Sequence, residues 1–215
     1  MDHDVTPLAG PLDAELDVPP SKSIWQRALV LAALADGETV LEGAEAERAD
    51  DVADLVGALE QLGVYRDGTL GESRDRLRLD LGLGATGFRF ATALAALRPA
   101  GARTLVTGRP ALLRRPHRPL VRALQRLGIG VTRRHSGALR VHAAPIARSV
   151  VDVDARLSSQ YASALMLVAP RMGGLTIRLP DGAVSRPYLA LTAELLKAFG
   201  VTAVSYTHLR AHETY

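Results

Sequence analysis

The chain contains no cysteine. That excludes a disulfide framework, a thiolate zinc site and a cysteine nucleophile, and it fits a reducing compartment. Aromatic residues make up only 4%, so a core has to be built from Ala, Leu and Val. Lysine is scarcer still: of 26 basic residues only Lys22 and Lys197 are lysines, and the rest are arginines. No long run of like charge marks a disordered segment. The longest apolar run, 28–35, is too short to span a bilayer. The N-terminus, MDHDVTPLAG, is acidic where a secretion signal is basic. The expectation is a soluble, cytoplasmic protein that binds no membrane.

What remains is ample for folding. The 215 residues, 47% of them hydrophobic, suffice for one large or two small packed domains. The pI near 9.6 overstates a net charge of only +3. The basic excess is local, concentrated in GRPALLRRPHRPLVRALQRLGIGVTRRHSGALR, residues 108–140. A nucleic acid is one partner for such a stretch. An anionic small molecule beside an arginine-rich solvated surface is the other.

The chain repeats itself. Three segments end alike: 53–64 (ADLVGALEQLGV), 118–131 (RPLVRALQRLGIGV) and 190–201 (ALTAELLKAFGV). Each has the i, i+3, i+4 apolar spacing of an amphipathic helix and stops at a glycine (Gly63, Gly128, Gly200), as a left-handed C-terminal residue requires. Each follows a more uniformly apolar helix: 27–36, 89–99 and 161–170. Such helices are buried on every side. Short strands fill the gaps: ETVLEG, RLRLDL, ARTLVTG, LRVHA, SVVDVDA and LTIRLP. The unit is βαβαββ, and it predicts an α/β fold of three repeated units with buried helices and outer sheets. The repeats span about 19–80, 81–148 and 149–204.

Before each buried helix the chain is small, polar and rich in donors: PSKS (20–23), GLGAT (82–86) and LSSQ (157–160). The first N–H groups of a helix lack intrahelical partners and, with the helix dipole, favour an anion. The serines and threonines could instead only cap their helices. Three such turns in equivalent positions favour convergence on a ligand with several negative charges. Lys22 would then be a compact cation on a flexible stem, with Arg27 about a turn beyond Ser23. Arg89 follows Thr86 by three residues. GLGATG (82–87) also matches the dinucleotide fingerprint G-x-G-x-x-G, but no acid ends the next strand, LVTGRP.

A basic cluster, RRPHRP (114–119), opens the second amphipathic helix, with Pro116 expected in its first turn and Arg114 and Arg115 flanking it. Arginine grips carboxylate or phosphate bidentately. SRPY (185–188) opens the third, with Ser185 as a cap. His117, His135 and His142 show no ligand spacing and read as surface residues, so no metal is expected.

These motifs, taken in order, resemble the first half of the 5-enolpyruvylshikimate-3-phosphate synthase family. PPSKSIWQRAL is similar to the family's P-G-S-K-S-x-x-N-R-A-L, and GLGATGFRF to G-[NL]-A-G-T-x-x-R. GRPALLRRPHRPLVRAL, SSQYASALMLVAP and SRPYLALTAELLKAFGV continue the likeness, which runs from about residue 12 to 201. The resemblance implies two like domains of three βαβαββ units each, helices inside and sheets outside, an inside-out barrel. It implies transfer of the enolpyruvyl group of phosphoenolpyruvate to the 5-hydroxyl of shikimate 3-phosphate, with no metal or organic cofactor, by an enzyme that is a monomer when complete.

Carried over residue by residue, the resemblance implies that Lys22 contacts both substrates near the reacting centre. Ser23 and Arg27 would hold shikimate 3-phosphate, and Ala85, Thr86 and Arg115 phosphoenolpyruvate. Ser158 and Ser159 would bind the 3-phosphate, Gln160 would reach both ligands, and Ser185 and Tyr188 would line the shikimate side. Pro20 departs from the family glycine and Gln26 from asparagine. Ala85 replaces the glycine that lies against phosphoenolpyruvate, so its methyl group should crowd that ligand.

The family's acid/base Asp and Glu belong to the second domain, so the chain alone is expected to be inactive. Residues 1–18 would be a strand segment joining that domain, 19–204 the first domain. The tail 205–215, SYTHLRAHETY, resembles a translated sequencing adapter and is expected to be a scar, which removes His208 and His212 as an i, i+4 metal pair. Two rivals stay open at this point. The sister enzyme acting on UDP-N-acetylglucosamine shares the fold but has Lys-Asn at the place of Lys22-Ser23. A nucleic-acid-binding domain would explain 108–140 but leave Lys22 and 158–160 without a role.

Overall fold

A computed structural model describes residues 20–42, 49–63, 65, 66, 69–71, 76–181 and 184–204, with positions 10, 11, 13 and 15. Of the strand expected at 12–18 only positions 13 and 15 are described, and the tail at 205–215 lies outside these residues.

The middle repeat is complete. β3 (Arg76–Asp80) leads into α3 (Ala85–Leu94), and β4 (Arg103–Thr107) lies parallel to β3 with Leu79 opposite Val106. The short α4 (Pro110–Leu113) and then α5 (Arg118–Arg126) follow. β5 (Gly130–Arg133) and β6 (Leu139–His142) close the sheet in the order β3-β4-β6-β5, the last two steps antiparallel. A parallel pair needs a crossover, and α3 supplies it. The boundary expected near 80/81 therefore falls inside a sheet, because β3 pairs with β4.

The third repeat gives β7 (Val150–Asp152) parallel to β8 (Thr176–Arg178), with α6 (Gln160–Val168) between them and α7 (Arg186–Ala198) after them. The first gives α1 (Lys22–Leu34), α2 (Asp50–Leu62) and a two-stranded hairpin of β1 (Tyr65–Arg66) with β2 (Thr69–Leu70). The strand expected at ETVLEG does not form over 38–42, where no ladder partner is present among the described residues.

Helices α1, α3 and α6 run through the centre. Every residue of α3 but Thr86 is buried, and α6 buries Tyr161–Leu165, Leu167 and Val168. Their apolar character all round is what such positions demand. α2 and α5 bury one stripe each: Val52, Leu55, Ala58 and Leu62 in the former, Leu120, Ala123 and Leu124 in the latter. All these residues but Val52 join one continuous core with Leu79, Val106, Val131, Leu139 and Val141 of the sheet. Truncating a leucine of this kind to alanine costs about 2–5 kcal/mol. Val52 packs instead with Trp25 in a satellite cluster beside α1.

The three amphipathic helices end at the expected glycines. Gly63, Gly128 and Gly200 all have positive φ, at 75°, 96° and 77°. At Gly128 an added Cβ would also stand 3.0 Å from Ala147 Cβ. Among the described residues no helix is long and apolar enough to cross a membrane.

Candidate functional site

The central helices begin at one end of the molecule, and none of them has a side-chain cap. Ser21 precedes α1, Gly84 precedes α3 and Ser159 precedes α6, each without a capping hydrogen bond to the helix. Lys22, Ser23, Ala85, Thr86 and Gln160 therefore lie inside the first turns, one step later than a capping role would put them. The capping alternative fails before α1 and α3. Before α6 a serine does take one first-turn donor, but from one residue further out, since Gln160 N donates to Ser158 Oγ at 3.2 Å.

Two buried arginines tie these turns together. Arg89, on the first turns of α3, donates through Nη1 to Ser158 Oγ at 3.3 Å and to Gln160 Oε1. Its Nη2 reaches Pro116 O at 3.4 Å, and its guanidinium lies 4.7 Å from the Tyr161 ring centre. Tyr161 donates to the same carbonyl at 2.7 Å. Thus α3, α6 and the 114–119 segment meet at Arg89, whose pKa is lowered chiefly by burial. Its Nε has no partner among the described residues.

Arg27 does the same for α1, α6 and α7. Nε donates to Thr192 Oγ1 at 2.8 Å, Nη1 to Ser23 O at 2.8 Å and Ser23 Oγ at 2.6 Å, and Nη2 to Ser163 Oγ at 3.4 Å. Phe90 and Tyr188 flank it, 5.5 and 5.7 Å from their ring centres. At 1% exposure its donors are turned onto the protein. Burial lowers its pKa to about 10, against a raising effect of Tyr188.

Lys22 is exposed, with Nζ 3.3 Å from Asp51 Oδ1 on the first turn of α2. Ser159 is buried, while Thr86 and Ser158 are half-buried. Arg115 is exposed between α4 and α5, and its charge is felt by both Arg89 and His117. Ser185 stands at the N-cap of α7 but in a left-handed conformation (φ 55°) and makes no capping bond; Tyr188, 47% exposed, is one turn on.

Three expectations need correction. His117 is not a surface residue. It is 3% exposed, stacked on Phe88 with ring centres 4.4 Å apart, and its Nε2–H donates to Leu112 O at 3.2 Å. Burial first, then the nearby arginines, depress its pKa to about 4. Pro116 does not enter the first turn of α5; Pro119 does, and Pro116 supplies the carbonyl shared by Arg89 and Tyr161. Ser185 is no side-chain cap. Sequence reasoning also missed Asp51, Ser163 and Thr192. The one available signal was a threonine, Thr192, on the apolar stripe of α7.

Central helices, arginines linking their first turns and sheets outside match the architecture of buried helices and outer sheets expected of the repeats. The comparisons agree. The family model for EPSP synthase (3-phosphoshikimate 1-carboxyvinyltransferase) matches residues 8–210, and the chain belongs to that family. It is 35% identical over 210 residues to the 3-phosphoshikimate 1-carboxyvinyltransferase of Shewanella amazonensis, covering 91% of this chain and 49% of that protein. It is 34% identical over 223 residues to that of Methanosphaerula palustris, covering 93% and 50%. The structure of EPSP synthase from Acinetobacter baumannii superposes with a TM-score of 0.68 at 18% identity, covering 89% of this chain and 44% of that one. The likeness is one of fold. The chain spans about half the length of the relatives it matches.

Proposed function

We propose that this chain supplies one half of the cleft of an enzyme that transfers the enolpyruvyl group of phosphoenolpyruvate to the 5-hydroxyl of shikimate 3-phosphate, releasing phosphate. The observation that carries the reading is the convergence of the first turns of α1, α3 and α6, with Lys22 exposed beside them and the buried Arg27 and Arg89 holding Ser23, Ser158 and Gln160 from behind. Two phosphates and two carboxylates on the substrates are the load such a set suits.

In this reading Ser158, Ser159 and Gln160 receive the 3-phosphate, with Arg89 holding Ser158 and Gln160 in place. Thr86, Ala85 and Arg115 face phosphoenolpyruvate. Lys22 stands where charge develops as a tetrahedral adduct forms, and fixed donors there stabilise that charge without reorganising. Ser23, Ser185 and Tyr188 line the shikimate side, with Arg27 as the brace behind Ser23 and Tyr188. Bringing two reactants into register supplies a further part of the rate. The 215-residue chain alone is expected to bind shikimate 3-phosphate without turnover, and no nucleic acid takes part.

Thermal unfolding with shikimate 3-phosphate, UDP-N-acetylglucosamine or a short duplex DNA tests the reading, because a ligand specific to the folded state raises the midpoint. A rise with shikimate 3-phosphate alone is expected. A rise only with the sugar nucleotide, or only with DNA, would overturn it.

A further inference from the structure

One anion already stands beside Lys22. Asp51, 29 residues away on α2, places Oδ1 3.3 Å from Nζ. The carboxylate is fixed from two more sides. Gln26 Nε2 donates to Asp51 O at 3.0 Å and reaches Oδ2 at 3.5 Å, and Gln26 is itself buried. Gly84, which precedes α3, packs so closely that an added Cβ would stand 3.1 Å from Asp51 Cβ and 3.5 Å from its Cα. Asp51 thus sits where the first turns of α1, α2 and α3 approach one another. Positive helix ends and an ammonium both favour a carboxylate at that point.

We infer that Asp51 is a positioning residue for Lys22. It holds the ammonium as an internal counter-anion in the unliganded protein, and a phosphate- or carboxylate-bearing ligand binds by taking its place. The inference rests on the proposed function only for the identity of the natural ligand. The pair is partly exposed, with 58% of the lysine and 33% of the aspartate side chain accessible, so it is weak and easily exchanged. The choice of lysine in an arginine-rich chain follows. An ammonium is a point charge on a flexible stem and can swing from one acceptor to another. A guanidinium fork would hold Asp51 bidentately and release it reluctantly.

With only two lysines, a chain labelled with ¹³C,¹⁵N-lysine gives two side-chain signals, assigned by Lys197→Arg. Asp51→Asn keeps the side-chain shape and the backbone carbonyl that Gln26 holds. It is expected to move the Lys22 signal and leave that of Lys197 in place. Inorganic phosphate should then bind about fivefold more tightly to Asp51→Asn than to the parent chain, since one competing charge is gone. In a Lys22→Met background, followed by phosphate-induced thermal shift, the same change should give less than half that gain. A Lys22 signal indifferent to Asp51→Asn, no phosphate binding, or an equal gain in both backgrounds would overturn the inference. Phosphate binding with the expected gain but no response to shikimate 3-phosphate would support it and count against the enzymatic reading alone.

Discussion

Arg27 Nε donates to Thr192 Oγ1 at 2.8 Å, a bond between residues 165 apart in sequence and buried at both ends. Thr192 Oγ1 is also 2.7 Å from Tyr188 O and 3.0 Å from Ser163 Oγ, so one hydroxyl serves three partners on α1, α6 and α7. Thr192→Val keeps the shape and removes the acceptor, which leaves a buried guanidinium N–H unsatisfied. The expected loss is about 2 kcal/mol, read by urea unfolding, with Thr192→Ser close to the parent. Equal stability of the valine variant would show that Arg27 finds another acceptor at no cost.

Arg89 links the turn before α6 to the 114–119 segment. Its guanidinium holds Ser158 and Gln160, shares the Pro116 carbonyl with Tyr161 and stacks on the Tyr161 ring. Arg89→Lys keeps the charge but gives up the planar fork and the stack, so it is not conservative here. Calorimetric titration should show shikimate 3-phosphate binding weakened about tenfold, an effect of roughly 1.4 kcal/mol. Unchanged affinity would confine Arg89 to a packing role.

The repeats were legible because each is written locally. Gly63, Gly128 and Gly200 end helices in the conformation that glycine favours, and the uniformly apolar 89–99 and 161–170 are the buried helices they promise. ETVLEG reads as a strand on its own, but a strand needs a neighbour, and 38–42 has none among the described residues. Asp51 looks like an ordinary first-turn acid of α2, and its meeting with Lys22 depends on how α1 and α2 pack. His117 sits among arginines and prolines in sequence, and only the tertiary stack on Phe88 buries it.

Ala85 opens α3, is 8% exposed and carries the methyl group expected to crowd phosphoenolpyruvate. In a full-length enzyme built on this half, Ala85→Gly should lower the KM for phosphoenolpyruvate. Steady-state kinetics of the two forms side by side decides it. Equal KM would place the methyl group away from that ligand.

His117 makes stability depend on pH in a definite window. In the unfolded chain a histidine has a pKa near 6.5, whereas here burial depresses it to about 4. Between these values the unfolded state binds a proton that the folded state refuses, so stability rises with pH across that range and is lost as pH falls from about 6.5 to 4. The carboxylates that titrate in the lower part of this window make a single melting curve ambiguous, and a comparison removes the ambiguity. His117→Phe keeps an aromatic ring against Phe88, gives up the bond to Leu112 O and removes the buried Nδ1, which has no partner among the described residues. The two changes oppose each other at pH 7, and the variant should show a flatter fall in Tm between about pH 6.5 and 4. The His117 Cε1–H proton signal should titrate well below the ordinary histidine value near 6.5. Parallel Tm curves for parent and variant would mean that the imidazole is already protonated in the folded state, with Arg89 and Arg115 then crowded by a third positive charge.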